Sequence, residues 1–530
     1  MGHKRQRNRA VSVMALATSA VMVLTLSACS DDGSGAGEGG DGGESSAVPT
    51  PTGPSRKGPA PAAVPSVRDW KPVRGPGWNP SRHTRVVADP EGPLADEGKL
   101  LARELNVPFT KGPARTADVE LALDDGVGGG REAYELSSRK GQVKISASDH
   151  AGVFYGTRTL LQSVRAQGGV ADGTVRDRPD RPQRGFMLDI ARKHFSAEWI
   201  EDRIREMGDL KLNQLQLHIS DDQAFRVEST SHPEVVSSPR LTKAQMRRIV
   251  KLAESRHIAV IPEIDSPGHL GAVLKAHPEL QLKDESGQPT EGAIDISDPG
   301  AAKIVDDLLR EYADLFPGKY WHLGGDEYLA LAKEDPEESY PQLAEKAREE
   351  HGKKAGVQDL AAQWLNDRAE TVRKEGKKPQ VWNDGVHAGG EVKVHRDRQI
   401  AYWTGKEAGE RDPVEYLKEG WKLINLNDEY LYYVLGQPND FTYPTGRRIY
   451  EQWTPAVLRG TKPVPKSLSG PEHIPGGRFA VWCDRAGAQT PQQVADGIRM
   501  PLAATAQKLW NPGKPALSWE DFKKLAMRAS

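Results

Sequence analysis

The stretch His322-Leu323-Gly324-Gly325-Asp326-Glu327 sets two carboxylates side by side immediately after an apolar run. Paired glycines let a chain turn sharply as it leaves a strand, so both acids project from one fixed position. Consecutive residues on an extended chain point apart, and Asp326 and Glu327 therefore suit different tasks within acid–base or charge-stabilising chemistry. Taken alone, an acidic loop after a strand is the ordinary reading. Other reactive residues share the same placement, however. Asp189 and Arg192 follow one apolar run, Asp221 and Asp222 the next, and Glu263, Asp265 and His269 a third.

These positions imply the elements that hold them. Beyond Arg184, eight apolar runs suited to buried parallel strands occur at 185–190, 212–219, 258–264, 320–323, 380–382, 400–403, 422–426 and 478–482. Helical patterns lie between them, as at 197–210 and 242–255, the latter opening with Thr242 and Gln245 at capping-box spacing. Eight strand–helix units point to an α/β fold of the (β/α)8 TIM-barrel type over 181–530, in which the C-terminal strand ends, and the reactive residues on them, converge on one mouth. An open doubly wound sheet would spread those residues along an edge, and its Gly-rich nucleotide fingerprint is missing.

A smaller α/β domain is expected over 66–180, with strands near 84–88, 119–123, 133–137 and 142–146 and helices near 98–105 and 151–164. The Asp-, Arg- and Pro-rich residues 177–183 read as its boundary. The glycines at 126–130 read as a surface turn, because no P-loop Lys-Ser/Thr pair follows them.

With 72 basic against 74 acidic residues among 530, the chain carries no electrostatic footprint for nucleic acid and, beyond its first residues, no polybasic membrane patch. Residues 1–28 have the form of a lipoprotein-type signal peptide: a basic start, an apolar run over 11–26, then Leu26-Ser27-Ala28-Cys29. A plain secretory signal and an uncleaved anchor are the alternatives. The expected location is extracellular, with membrane attachment only through a lipid on Cys29. Cys483 then has no partner and reads as a buried, unreactive thiol. Residues 29–65 are Gly-, Ser- and Pro-rich and read as a disordered tether.

From Arg184 onward the chain resembles glycoside hydrolase family 20, the β-N-acetylhexosaminidases. The resemblance rests on Arg184-Gly185-Phe186-Met187-Leu188-Asp189-Ile190-Ala191-Arg192, His218-Ile219-Ser220-Asp221-Asp222-Gln223, Pro262-Glu263-Ile264-Asp265-Ser266-Pro267-Gly268-His269 and the stretch from His322 to Glu327, in the family's order. It implies a retaining mechanism in which the substrate's 2-acetamido oxygen, rather than a protein group, attacks the anomeric carbon. By the family's motif Glu327 is the general acid and base, and Asp326 holds the acetamido N–H. Asp221 and His269 form a supporting pair, Arg192 grips sugar hydroxyls, and Tyr430 bonds the acetamido carbonyl. Trp364, Trp382 and Trp482 wall the acetamido pocket, Trp453 stands near the aglycone, and Asp484 faces the far end of the sugar, whereas Trp403 and Trp421 read as core. No cofactor or metal is implied, and the implied partner is a glycan ending in N-acetylhexosamine.

Two departures stand out. The chain has Tyr430-Leu431-Tyr432 where the common exo-enzymes have Tyr-Leu-Asp, and Trp482-Cys483-Asp484 where they have Trp-x-Glu. Both changes fall on carboxylates that grip the sugar's outer hydroxyls. The lacto-N-biosidases of the same family, which release a disaccharide, are therefore an alternative reading. A non-catalytic glycan-binding lipoprotein is a second, though a binder has no need of a paired acid and orienting carboxylate. A metalloenzyme built on Asp221, His269 and Asp326 is a third, without close His-x-x-x-His or Cys-rich spacing to support it.

Overall fold

The computed structural model describes residues 57–405, 411–437 and 441–530. The signal peptide, Cys29 and most of the tether lie outside the described residues. The end of the expected tether is folded: Pro61, Ala63, Val64 and Pro65 are buried. Gln162 brackets Val64, accepting from its N–H at 2.8 Å and donating to its carbonyl at 3.0 Å. A Pro- and Ala-rich segment cannot build a core of its own, but it can cover one that is already there.

The small domain is one seven-stranded sheet. Strands Tyr134–Arg139 and Gln142–Ala147 form its central hairpin, and helices Ala95–Leu105 and His150–Gln167 pack on it and on each other. Asp149 starts the second helix by accepting from Ala151 N, and Gly168 ends it with φ of 85°, a conformation open to glycine at no steric cost. Strands Asp69–Pro72, Phe109–Thr110 and Gly173–Asp177 were not expected from sequence. They are short or carry polar residues, and their pairing partners rather than their own pattern make them strands.

The expected TIM barrel is present. Its strands are Gln183–Asp189, Gln214–His218, Ala259–Glu263, Tyr320–His322, Lys378–Trp382, Gln399–Tyr402, Leu423–Asn425 and Gly476–Trp482. Each pairs in parallel with the next, and the last closes on the first through Gly476↔Gln183 to Val481↔Leu188. The seventh strand meets the eighth only at Ile424↔Gly476 and Asn425↔Gly477. The chain then makes one helical turn, Asp428–Leu431, and returns as strand Tyr432–Val434 alongside the mouth end of the eighth strand. The capping box expected at Thr242 and Gln245 opens helix Lys243–Glu254.

At the seam, residues 177–183, Asp177, Arg181 and Gln183 are buried while Arg178 and Pro182 are exposed. Arg184, wholly buried, donates to both oxygens of Glu132 at 2.8 and 2.9 Å, and Asn213 donates to the same carboxylate at 2.9 Å. Trp510, the last residue of helix Pro491–Trp510, sits in the small domain's core and donates to Asp177 at 3.0 Å. A bidentate charge-assisted pair and a buried indole fix the two domains to one another.

Inside the barrel, below the mouth, Arg478 donates to Gln216 at 2.5 Å, Gln214 at 3.1 Å and Gln380 at 2.7 Å. Burial lowers its pKa to about 10, with Glu263 opposing the shift. This layer links the barrel's strands and supports the residues above it.

Candidate active site

The turn after the fourth strand matches its sequence. Gly324 and Gly325 have φ of 68° and 99°, and a Cβ on Gly324 would fall 1.7 Å from Asp265 Oδ1. Only glycine fits against that carboxylate, which accepts the Gly325 N–H at 2.9 Å. Glu327 itself has φ of 48°, a conformation costly for a residue with a side chain. Its N–H donates to Asp384 Oδ2 at 2.9 Å, while Asp384 Oδ1 accepts from Trp403 Nε1 at 3.0 Å. Asp384 thus ties this turn to the next wall of the mouth.

A cavity of about 220 Å³ opens there, and Asp326, Glu327, Arg192 and Asp221 line it together with His269, Trp482 and Asp484. Asp326 is buried, whereas the Glu327 side chain is 45% exposed at the opening. One imidazole faces both acids: His269 Nε2 lies 3.3 Å from Glu327 Oε2 and 3.6 Å from Asp326 Oδ2, and its Nδ1 lies 3.5 Å from Asp221 Oδ1. Burial alone would lower the pKa of His269, but Asp221 and Glu327 outweigh it and push it well above the ordinary value. His269 in turn holds Glu327 below the ordinary carboxyl range, against burial.

Asp265 and Asp326 are buried close together; burial and the charge of Asp326 raise Asp265, while burial raises Asp326 against the opposing effects of His269 and of the hydrogen bond from Asp265. Asp265 shifts further and takes the proton, leaving the charge on Asp326.

Beneath them runs a buried chain of charge. Arg192 bridges Asp189 at 3.2 Å and Asp221 at 2.8 Å, with its guanidinium 5.4 Å from the Trp482 ring centre. Asp221 Oδ2 lies 2.7 Å from His218 Nε2, and Glu263 Oε2 lies 3.2 Å from His218 Nδ1. Glu263 also accepts from Gln216 and Trp382, each at 2.7 Å. Burial would lower His218, but Glu263 and Asp221 push it up to about 10. Glu263→Gln leaves this imidazolium undercompensated in the core, and urea unfolding is expected to show a loss of about 3–5 kcal/mol.

The structure separates the expected aromatic residues. Trp482 lines the cavity. Trp382 sits under the floor, 4.5 Å from His322 and 5.9 Å from Trp482 between ring centres. Trp364 backs the loop that carries Asp265 and His269, donating to Ser266 Oγ at 3.0 Å. Trp453 is wholly buried in the outer core and donates to the Val457 carbonyl, away from the cavity lining.

Tyr430 is displaced too. It lies on the helical turn Asp428–Leu431, buried in the outer core beneath the Arg448 guanidinium 4.4 Å away. Tyr432 and Val434, two apart on the added strand, face the cavity instead, and Tyr433 between them turns outward onto Tyr443. Tyr432 stacks on Trp403 with ring centres 5.6 Å apart and planes 6° from parallel. Trp403, expected to be core, lines the cavity, as do His218 and Phe441. The position of Trp403 just past the sixth strand was a usable signal; nothing in the sequence marked Phe441. Tyr432→Phe is expected to lower kcat by about 10²–10³-fold, as loss of a single charge-stabilising donor does, with Tyr430→Phe near wild type in the same assay; the reverse order would return the role to Tyr430.

A barrel whose mouth holds an exposed acid, a buried orienting carboxylate and an aromatic wall has the architecture of a glycoside hydrolase. Comparison with known proteins defines it further. The catalytic domain of glycosyl hydrolase family 20 matches residues 182–513, and that family's domain 2 matches residues 60–178. The chain belongs to glycoside hydrolase family 20. It is 31% identical over 473 residues to a lacto-N-biosidase of Bifidobacterium bifidum, covering 87% of this chain and 41% of that protein. It is also 31% identical over 512 residues to a β-N-acetylhexosaminidase of Cellulomonas fimi, covering 88% and 92%. A β-hexosaminidase of Porphyromonas gingivalis is 28% identical over 60% of this chain and 43% of its own length, so the chain spans less than half of two of these relatives. Among solved structures, the family 20 β-N-acetylhexosaminidase of Streptomyces coelicolor superposes with a TM-score of 0.70 at 25% identity, covering 89% of this chain and 96% of that one.

Proposed function

We propose that this protein is a retaining hydrolase of terminal N-acetylhexosaminides that uses the substrate's own acetamide as nucleophile. The observation that carries this reading is the pair at the mouth: Asp326 buried beside an exposed Glu327, both facing one imidazole. In the first step Glu327 protonates the glycosidic oxygen as the C1–O bond breaks, and the acetamido oxygen bonds to C1. Asp326 accepts the amide N–H and offsets the positive charge of the resulting oxazolinium ion, and the Tyr432 hydroxyl donates to the acetamido oxygen. In the second step Glu327 takes a proton from water, whose oxygen bonds to C1 and opens the ring. Arg192 and the Trp482 face hold the sugar.

The protonation of Glu327 gives a signed test. kcat/KM reports the free enzyme, and the first step needs the protonated acid, so kcat/KM falls as pH rises through the Glu327 pKa. His269→Gln removes the cation that lowers this pKa. The falling limb is then expected at higher pH; a limb that stays in place contradicts the pairing.

Release of a disaccharide is the second reading, favoured by one observation. With Tyr432 in the cavity, the residue two further along the strand is Val434, which also lines it. Counting the Tyr-Leu-Asp spacing from Tyr432 instead of Tyr430 puts an apolar side chain where the exo-enzymes have a carboxylate gripping an outer hydroxyl, and Asp484 replaces the longer acid. That end of the pocket therefore has less to hold a bare terminal hydroxyl and less charge against a further sugar. Product analysis on chito-oligosaccharides and on a lacto-N-tetraose-type glycan separates the readings, since free N-acetylglucosamine supports the first and a β-linked disaccharide the second. Cleavage of neither would contradict both.

Export and lipid attachment at Cys29 belong to this proposal, supported by the basic, apolar and Leu-Ser-Ala-Cys order of the first 29 residues. Among the described residues, no helix is long and apolar enough to cross a membrane. Partition of the protein into detergent phase, lost in Cys29→Ala, is the expected result.

A further inference from the structure

Two loops on the mouth side of the barrel meet away from the cavity. The excursion after the second strand carries His232 and Glu234, around the short turn Pro233–Val235; that after the third strand carries His277, at the end of helix Gly271–Ala276. The same excursions carry Asp221 and His269 respectively.

Glu234 Oε1 lies 3.0 Å from His232 Nδ1 and 3.0 Å from His277 Nε2, and one donor atom from each residue falls within 4.8 Å of the others. Ligands held at about 2.0–2.1 Å from a tetrahedral zinc ion stand about 3.3 Å apart, so two of the three separations already lie near those of such a site. The second nitrogen of each ring is also engaged by an acid: His232 Nε2 lies 3.4 Å from Asp307 Oδ2, and His277 Nδ1 lies 3.1 Å from Glu279 Oε1. An outer carboxylate on the far nitrogen fixes the tautomer of a ligating histidine and raises its basicity. The side chains are 16%, 41% and 24% exposed for His232, Glu234 and His277, which leaves a solvent side for water to complete the coordination. Two imidazoles and one carboxylate suit a borderline divalent ion rather than calcium or magnesium, which take oxygen ligands.

We propose that His232, Glu234 and His277 bind one divalent ion of the zinc class, oriented by Asp307 and Glu279. The ion fastens together the two loops that carry Asp221 and His269 and takes no part in bond cleavage. A separation of 43 residues between Glu234 and His277 hides the site from any reading of ligand spacing.

The test uses full-length protein without a polyhistidine tag, stripped with chelator and titrated with Zn²⁺ by calorimetry and with Co²⁺ by visible absorption. One ion per chain, ligand-field bands of nitrogen- and oxygen-bound Co²⁺, and a higher melting temperature with Zn²⁺ are expected. His277→Gln and Glu234→Gln should abolish binding with an unchanged circular dichroism spectrum. Asp307→Asn and Glu279→Gln, outside the ligand set, should weaken it about 10–100-fold. No binding to the wild type, undiminished binding to His277→Gln, or a preference for Ca²⁺ would overturn the proposal, since the cluster would then be ion pairs alone or the ion would lie elsewhere.

Discussion

Glu327→Gln should lower kcat by about 10²–10⁴-fold, the usual share of a positioned general acid–base group. The substitution keeps the shape of the side chain and removes only the transferable proton. Its effect should depend on the leaving group. For an aryl glycoside whose phenol is strongly acidic, departure needs little protonation, so formation of the intermediate should be almost unaffected while its hydrolysis remains slow. A burst of phenol followed by slow turnover is then expected in rapid-mixing experiments. An alkyl or sugar leaving group should show no burst and the full loss. Equal losses in kcat/KM for both kinds of substrate would mean that Glu327 acts on something other than proton transfer. The left-handed backbone of Glu327 and its N–H bond to Asp384 give a structural reason for sensitivity to placement as well as to chemistry.

Asp326→Asn should cost about 10²–10³-fold in kcat, the scale of one preorganised group facing developing charge. The amide fills the same space and its oxygen can still accept the substrate N–H, but the negative charge beside the oxazolinium ion is gone. KM should change much less than kcat, because the lost interaction strengthens only as positive charge develops. Asp265 adds a second expectation. It holds the proton of the pair while Asp326 is charged, so in Asp326→Asn the repulsion that helps raise Asp265 disappears. Asp265 should then titrate lower, which carbon-detected NMR of the carboxyl group can follow.

Much of the fold was legible because its signals are strong. Parallel strands buried on both faces read as continuous apolar runs, and each of the eight expected runs overlaps a barrel strand. The acids at the strand ends followed from the same pattern, since a closed barrel brings those ends together. What escaped has a common cause. The three-residue strand Tyr432–Val434 is too short to show a period, and its identity depends on the eighth strand lying open beside it. The helical turn before it shifts the cavity-facing tyrosine from 430 to 432, a difference that motif matching on adjacent tyrosines cannot resolve. Tryptophans suffer from the opposite difficulty. Their apolar bulk suits a core or a sugar platform equally, so Trp453 in the outer core and Trp403 at the cavity exchange the places expected of them. Pro61 to Pro65 show the limit of composition, which reports whether a segment can fold alone but not whether it can be folded against.

The attack of the substrate's own amide is tested most directly by changing that amide and nothing else. Aryl β-glycosides of N-acetylglucosamine whose acetyl group carries none, one, two or three fluorine atoms differ little in size but progressively weaken the carbonyl oxygen as a nucleophile. A steep, regular fall in kcat/KM along the series, with the glucoside lacking the amide almost inert, is the expected result. A rate indifferent to fluorine would place the nucleophile on the protein or on water and contradict the role given to Asp326.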